Sequence, residues 1–400
     1  MKNQHYLVWI CRRFKNIFMC LLLLFSIFSV LTFFHDSTLS RSYNKMMRVS
    51  FNKANRSTNV IKTRNNTVLK ITNKPLVHTN VVNKTSHRRG RKVPPMSRFR
   101  YPLYIELADI VNRKILNNTP IDIQPINPHN FQYLHKPEKC KFPGSGDTLN
   151  MLVLVKSAAK NKELRLAIRD TWAKDALPNI RVVFLLAGTD QPHQTQIDEE
   201  SKKYSDVIQE DFIDVYKNNT YKTIMGFNWG VTYCPSASFF FFVDDDHYAI
   251  LSTIYNYLLS FRDANSVSLL SGYLLPHSQP FRDIKSKWFV SWEDYGFDWW
   301  PPYLAGGAYL VSFSVARKFQ IAFPYVKYLG IDDSYLGIVA KKLNIRPTHN
   351  NHFGNRISFA NFKRSNRSSM FASHGFKDPN KMRAVWKTLH ANDTNSTRKL

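Results

Sequence analysis

Three consecutive aspartates, Asp244, Asp245 and Asp246, end a very apolar run, Ser-Phe-Phe-Phe-Phe-Val over residues 238–243. A short, aromatic-rich run of this kind reads as a fully buried strand. It would deliver three carboxylates to one spot at a sheet edge. Like charges this close repel, so a positive partner is expected among them. A divalent cation carrying an anionic cofactor is the natural candidate. If the backbone stays extended through the triplet, Asp244 and Asp246 point one way and Asp245 the other. Two carboxylates would then serve one ligand, and oxygen donors suit Mg²⁺ or Mn²⁺. A bare D-x-D also describes a calcium loop or a solvated acidic turn, but four Phe are a poor lead into a mere surface turn.

The elements around the triplet alternate. Residues 149–155 read as a buried strand, 162–173 as a helix, 180–186 as a strand and 191–204 as a polar helix. A weaker strand at 207–212, a helix at 221–233 and the strand at 238–243 follow. This order predicts an α/β fold with a mainly parallel, Rossmann-like sheet covered on both faces. Ligands in such sheets bind beyond the carboxyl ends of the strands, where the triplet lies. The globular part is expected to begin near Cys140. An amphipathic stretch lies at 104–116.

Charge and compartment follow from the N-terminal third. The 400-residue chain is 44% hydrophobic and carries a formal net charge of +27, a balance that would suit nucleic acid. However, residues 35–100 hold sixteen Lys or Arg against one acid, Asp36, without apolar periodicity. They read as a solvated stem, and no nucleic-acid partner is expected. Residues 17–34 form an uncharged apolar run preceded by Lys2, Arg12, Arg13 and Lys15. At 1.5 Å per residue the run spans roughly 27 Å, enough for a thin bilayer. The run predicts a signal anchor, with residues 1–16 cytoplasmic, 35–139 a luminal stem and 140–400 the luminal catalytic domain. A cleaved signal peptide is the alternative, although the run is long and no small-residue cleavage site follows it. Eight N-x-S/T sequons, at Asn55, Asn65, Asn83, Asn117, Asn218, Asn366, Asn392 and Asn395, all fall on the luminal side. Cys140 and Cys234 are the only luminal cysteines. An oxidising lumen would favour a bridge between them, with two buried thiols as the other reading.

Several blocks along residues 149–390 together resemble the β1,3-glycosyltransferases of glycosyltransferase family 31, most closely the Brainiac-like branch. They are Leu-Val-Lys-Ser at 154–157, Arg-Leu-Ala-Ile-Arg-Asp-Thr-Trp at 165–172 and the Phe-Val-Asp-Asp-Asp block. Lys-Trp-Phe-Val-Ser at 287–291, Trp-Pro-Pro-Tyr-Leu-Ala-Gly-Gly at 300–307 and Asp-Asp-Ser-Tyr-Leu-Gly at 332–337 follow. Ala-Ser-His at 372–374 and Met-Arg-Ala-Val-Trp at 382–386 close the series. The resemblance implies a GT-A-like fold. It also implies an inverting, metal-dependent transfer from a UDP-sugar with Mn²⁺ (or Mg²⁺), in the Golgi membrane as a single-pass type II protein.

Carried over by position, the resemblance makes Asp246, Asp244 and His374 metal ligands, with Asp244 and Asp245 also beside the nucleotide. Arg165, Arg169 and Trp172 help form the nucleotide pocket, and Lys156 is a weaker candidate. Two arginines four apart share a helical face and suit phosphates, although a solvated face with Trp172 in the core is the bland alternative. Asp333 corresponds to the general base, with Asp332 on the acceptor side. Here Asp-Asp-Ser stands where the family often has Glu-Asp-Val, and helix capping is a second use for both carboxylates. Trp300 and Tyr303 are the preferred acceptor contacts among the aromatic residues 288–303, most of which are expected to be packing. Gly306 and Gly307 permit close backbone approach, or simply a turn. The expected donor is UDP-N-acetylglucosamine, with galactose second. The acceptor is a glycosphingolipid, or alternatively a glycoprotein or proteoglycan glycan. A catalytically silent luminal sugar-binding protein is the rival of another class. Oligomeric state is not readable.

Overall fold

The computed structural model describes residues 96–143, 149–261, 267–354 and 370–390. The expected anchor at 17–34, most of the stem and the sequons at Asn55, Asn65, Asn83, Asn366, Asn392 and Asn395 lie outside them. Among the described residues no helix is long and apolar enough to cross a membrane.

The strands are β1 (Tyr133–His135), β2 (Met151–Lys156), β3 (Ile180–Gly188), β4 (Val207–Ile213), β5 (Phe239–Asp244), β6 (His247–Ala249), β7 (Leu270–Leu275), β8 (Tyr303–Ser312), β9 (Thr348–His349), β10 (Phe353–Gly354) and β11 (Ala372–His374). The helices are α1 (Leu107–Asn117), α2 (Lys162–Asp170), α3 (His193–Tyr204), α4 (Asn219–Tyr233), α5 (Leu251–Leu258), α6 (Phe313–Ala322), α7 (Asp332–Lys342) and α8 (Pro379–His390). Eight strands form one sheet in the order β1-β4-β3-β2-β5-β8-β7-β9. The four central strands β4-β3-β2-β5 are parallel, as the alternation predicts. The flanks differ from the expectation of a mainly parallel sheet. β8 runs antiparallel to both β5 and β7, and β1 runs antiparallel to β4, so the sheet is mixed. No helix intervenes between β7 and β8, which removes the crossover that a parallel pair requires.

The apolar run explains why the sheet is sandwiched. Phe240 and Phe242 of β5 enter one core, with Leu152 and Leu154 of β2 and helices α4, α6 and α7. Phe239, Phe241 and Val243 enter the other, with Met151, Val153, Val155 and Trp172. Period-two alternation thus feeds two cores from one strand, each Phe burial contributing about 2–3 kcal/mol. The expected start near Cys140 is too late. Tyr101, Leu107 and Val111 are fully buried in the first core, and β1 pairs with β4. α1 is amphipathic because one face meets this core, so the residues between 96 and 139 are part of the fold rather than stem. Cys140 and Cys234 are disulfide-bonded, with Cα atoms 4.8 Å apart. Asn117 is exposed at the end of α1, whereas Asn218 donates its amide to the Ile213 carbonyl at 2.9 Å.

Candidate active site

The register of the central strands builds the site. β2 and β5 pair in parallel with Lys156 opposite Asp244, both on the face that carries Leu154 and Phe242. α7 presents Asp332 to the same face. Lys156 Nζ donates to Asp332 Oδ2 at 2.7 Å and to the Gly306 carbonyl at 2.9 Å, and lies 3.0 Å from Asp244 Oδ1. Burial disfavours the Lys156 charge, but Asp244 and Asp332 outweigh it and hold the ammonium well above its usual range. Lys156 is therefore the positive charge that joins the triplet to the Asp332–Asp333 pair.

The backbone does not stay extended through the triplet. It leaves β5 at Asp244 and turns at 245–246, so the three carboxylates diverge to three partners. Asp244 meets Lys156. Asp245 is buried and accepts from Ser157 Oγ at 2.7 Å and Asn161 Nδ2 at 2.9 Å. Asp246 lies between two imidazoles, 3.0 Å from His247 Nδ1 and 3.1 Å from His374 Nε2. Burial pushes the carboxyls of Asp244 and Asp245 up. Burial acts the same way on Asp246, but His247 and His374 outweigh it and hold that carboxyl well below the usual range. The Asp246 hydrogen bond in turn raises His374.

Donor chemistry fits a divalent cation. One ligand atom each from Asp244, Asp246 and His247 lie within 4.8 Å of one another, and His374 reaches the same Asp246. Gly307 of β8 borders this group. A Cβ there would fall 2.6 Å from His247 Cε1 and 3.7 Å from Asp244 Oδ2, so only glycine leaves the space. Its neighbour Gly306 has Asp333 Cβ within 3.2 Å of the same virtual position. Two adjacent glycines therefore bring the candidate metal-ligating group and the Asp332–Asp333 pair to one stretch of strand. Asp333 accepts from its own Ser334 N–H at 2.7 Å. Burial and the neighbouring charge of Asp332 push its carboxyl up to about 7.

A cavity of about 530 Å³ opens beside the triplet, lined among others by Lys160, Asn161, Asp190, His193, Tyr216 and Lys222. Its rim, residues 157–161, is pinned from beneath. Arg165 donates Nη1 to Ser157 Oγ at 3.1 Å and to the Ala158 carbonyl at 2.7 Å, while Nε and Nη2 hold Glu200 at 2.8 Å. Lys222 donates to the Ser157 carbonyl and to Asp214, and Asp214 accepts from the Ala159 N–H.

The expected nucleotide contacts are corrected here. Arg165 is fully buried, Arg169 pairs with Asp206 and Glu200 at 2.8 Å, and Trp172 is 1% exposed in the core. None of the three lines the cavity. A helix packed on a sheet turns its inner face away from solvent, and Glu200 and Asp206 neutralise the arginines there. Trp300 is likewise 5% exposed and lies tilted against Tyr295 with ring centroids 4.1 Å apart, and Tyr303 is buried against Ser278. Among the aromatic residues 288–303, Trp288 and Trp299, 40% and 47% exposed, are the ones that face out. The sequence reading missed Glu200, Asp214 and Lys222, whose charges on helices and loops look solvated. It also missed His247, although that residue directly follows the triplet.

The family model described as Galactosyltransferase matches residues 163–351. A Drosophila melanogaster protein named beta-1,3-galactosyltransferase brn is 35% identical over 260 residues, 64% of this chain and 79% of the relative. Mouse beta-1,3-galactosyltransferase 1 is 30% identical over 287 residues, 70% of this chain and 85% of the relative. Among solved structures, mouse xyloside xylosyltransferase 1 aligns with 57% of this chain and 97% of its own, at 8% identity and a TM-score of 0.29, too slight a likeness to bear on function. The family model spans the triplet, the glycine pair and Asp333, and with the matches to these relatives it shows that the chain belongs to the β1,3-glycosyltransferases of family 31.

Proposed function

We propose that this glycosyltransferase is metal-dependent and inverting, and that it transfers a sugar from a UDP donor to a hydroxyl of a glycan acceptor. The observation that carries the reading is the glycine pair of β8, with Gly307 against the Asp244–His247 group and Gly306 against Asp333. Asp244, Asp246 and His374 would hold the metal, and a bound divalent ion neutralises the diphosphate and stabilises its departure. The cavity beside it takes the nucleotide, with the rim at 157–161 held in place before the donor arrives. Asp333 accepts the proton of the acceptor hydroxyl as its oxygen attacks the anomeric carbon and the bond to UDP breaks. Attack opposite the leaving group turns an α-linked donor into a β product. Lys156 holds Asp332 in place beside the base through a hydrogen bond of 2.7 Å.

N-acetylglucosamine is the first reading for the sugar, on the Brainiac-like blocks, and a glycosphingolipid is the first acceptor. Galactose is the second reading, favoured by the names of the matched relatives. The GT-A-like description of the sheet rests on family membership. The apolar run at 17–34 and the sequons on one side of it support a type II orientation in the Golgi membrane, behind a basic stem. A panel of UDP-sugars and β-glycoside acceptors with Mn²⁺, read by linkage analysis, tests the whole assignment. A β1,3-linked product is expected. Neither transfer nor UDP release with any pair would instead support a silent sugar-binding protein.

A further inference from the structure

We propose that His247 is itself a metal ligand, so that the centre combines two carboxylates with two imidazoles and favours manganese- and cobalt-like ions over magnesium and calcium. This rests on the metal-dependent reading above. β6 starts at His247, immediately after the turn of the triplet, and pairs antiparallel with β11 so that His247 lies opposite His374. The two rings are 5.0 Å apart and flank Asp246, one on each carboxylate oxygen. Donors in adjacent positions around a cation with bonds of about 2.1 Å lie ~3.0 Å apart, and opposite ones ~4.2 Å. The 3.0 and 3.1 Å contacts to Asp246 match the first spacing. The 4.8 Å envelope of Asp244, Asp246 and His247 accommodates both.

The imidazole is buried, with 6% of the side chain exposed. The ring lies edge-on against Gly307, so close that a Cβ there would fall 2.7 Å from Nε2. The same position on β8 lies 3.7 Å from Asp244 Oδ2, so glycine, imidazole and carboxylate meet at one stretch of strand. Hard alkaline-earth ions prefer oxygen alone, whereas transition ions gain from nitrogen donors. A second imidazole therefore shifts preference away from magnesium and calcium.

The test uses the full-length chain in detergent, loaded with Mn²⁺ in the presence of UDP and examined by pulsed EPR for imidazole nitrogen couplings. Two such couplings are expected in the unaltered chain. His374→Asn should retain one, from His247, and His247→Asn should retain one, from His374. His247→Asn should also weaken Mn²⁺ binding about tenfold or more and lower the preference for Mn²⁺ over Mg²⁺ in competition. Thermal unfolding of each variant, with His247→Gln as a second replacement, separates misfolding from lost ligation. Loss of all nitrogen coupling in a folded His374→Asn overturns the proposal. So does an affinity loss in His247→Asn with the nitrogen count unchanged. A wild-type chain that binds no Mn²⁺ would remove the metal-dependent reading itself.

Discussion

The two sides of the active site are held together in different ways. On the donor side, side chains pair with side chains beneath the cavity: Arg165 with Glu200, Arg169 with Glu200 and Asp206, Lys222 with Asp214, and Lys156 with Asp244 and Asp332. On the proposed acceptor side, Arg282 ties together the loop between β7 and β8. Its guanidinium donates to the carbonyls of Val290, Ser291, Tyr295 and Phe297 and stacks on Trp292 at 3.9 Å. Backbone is thereby fixed while Phe281, Ile284, Trp288 and Trp299 stay exposed. The donor side commits its functional groups to one arrangement. The proposed acceptor side fixes its backbone while leaving large apolar side chains exposed at its surface.

The sharpest way to break this contrast is to remove a buried charge on the donor side. Arg165→Met takes from Glu200 its bidentate buried partner, leaving only Arg169, and frees Ser157 and Ala158 of the rim; losing one member of a buried pair costs about 3–5 kcal/mol. Chemical denaturation should show that loss, together with weaker UDP binding; a change below 1 kcal/mol would mean that the network does not hold the rim. Next, the disulfide ties the segment at Cys140 to the end of α4, whose first turn lines the cavity. Replacing both cysteines with serine should cost about 2–4 kcal/mol, given the long loop that it closes. Unaltered unfolding under reducing and oxidising conditions would contradict this.

A pH profile addresses the junction between the two sides. Asp333 must be ionised to accept a proton, and burial with Asp332 places its carboxyl at about 7. Below that value the base is protonated, so kcat/KM should fall about tenfold per pH unit on the acid side and level off above it. A flat profile between pH 5.5 and 8 would argue against a raised base. The smallest effect belongs to the acceptor side. Trp299→Ala, at an exposed position, should change stability by less than about 0.5 kcal/mol. UDP affinity should stay the same while the KM for acceptor rises; an altered UDP affinity would blur the distinction.

Legibility in the sequence follows the same division. Strands β2, β3 and β5 and helices α2 and α4 were readable because their apolar residues recur with strand or helix period over several turns. The antiparallel flank was not, because nothing local in residues 303–312 distinguishes an antiparallel partner from a parallel one. The fold's earlier start was hidden because Tyr101, Leu107 and Val111 are widely spaced in a polar context. At the site, the triplet could be picked out from residue type and position, whereas Asp333 and Lys156 came with the family resemblance. The roles expected of Arg165 and Trp300 were misplaced because burial depends on which face a helix or loop presents. No pattern in the sequence reveals that Glu200 and Asp206, thirty or more residues away, will neutralise the two arginines.

The central claim is that donor binding and proton acceptance reside in different carboxylates, with the triplet on one side of Lys156 and Asp333 on the other. Asp333→Asn tests it most directly, with Mn²⁺-dependent UDP affinity and sugar transfer measured on the same preparation. The account predicts unchanged UDP affinity with transfer reduced about 10²–10⁴-fold. Transfer at the unaltered rate, or UDP binding lost together with transfer, would contradict it.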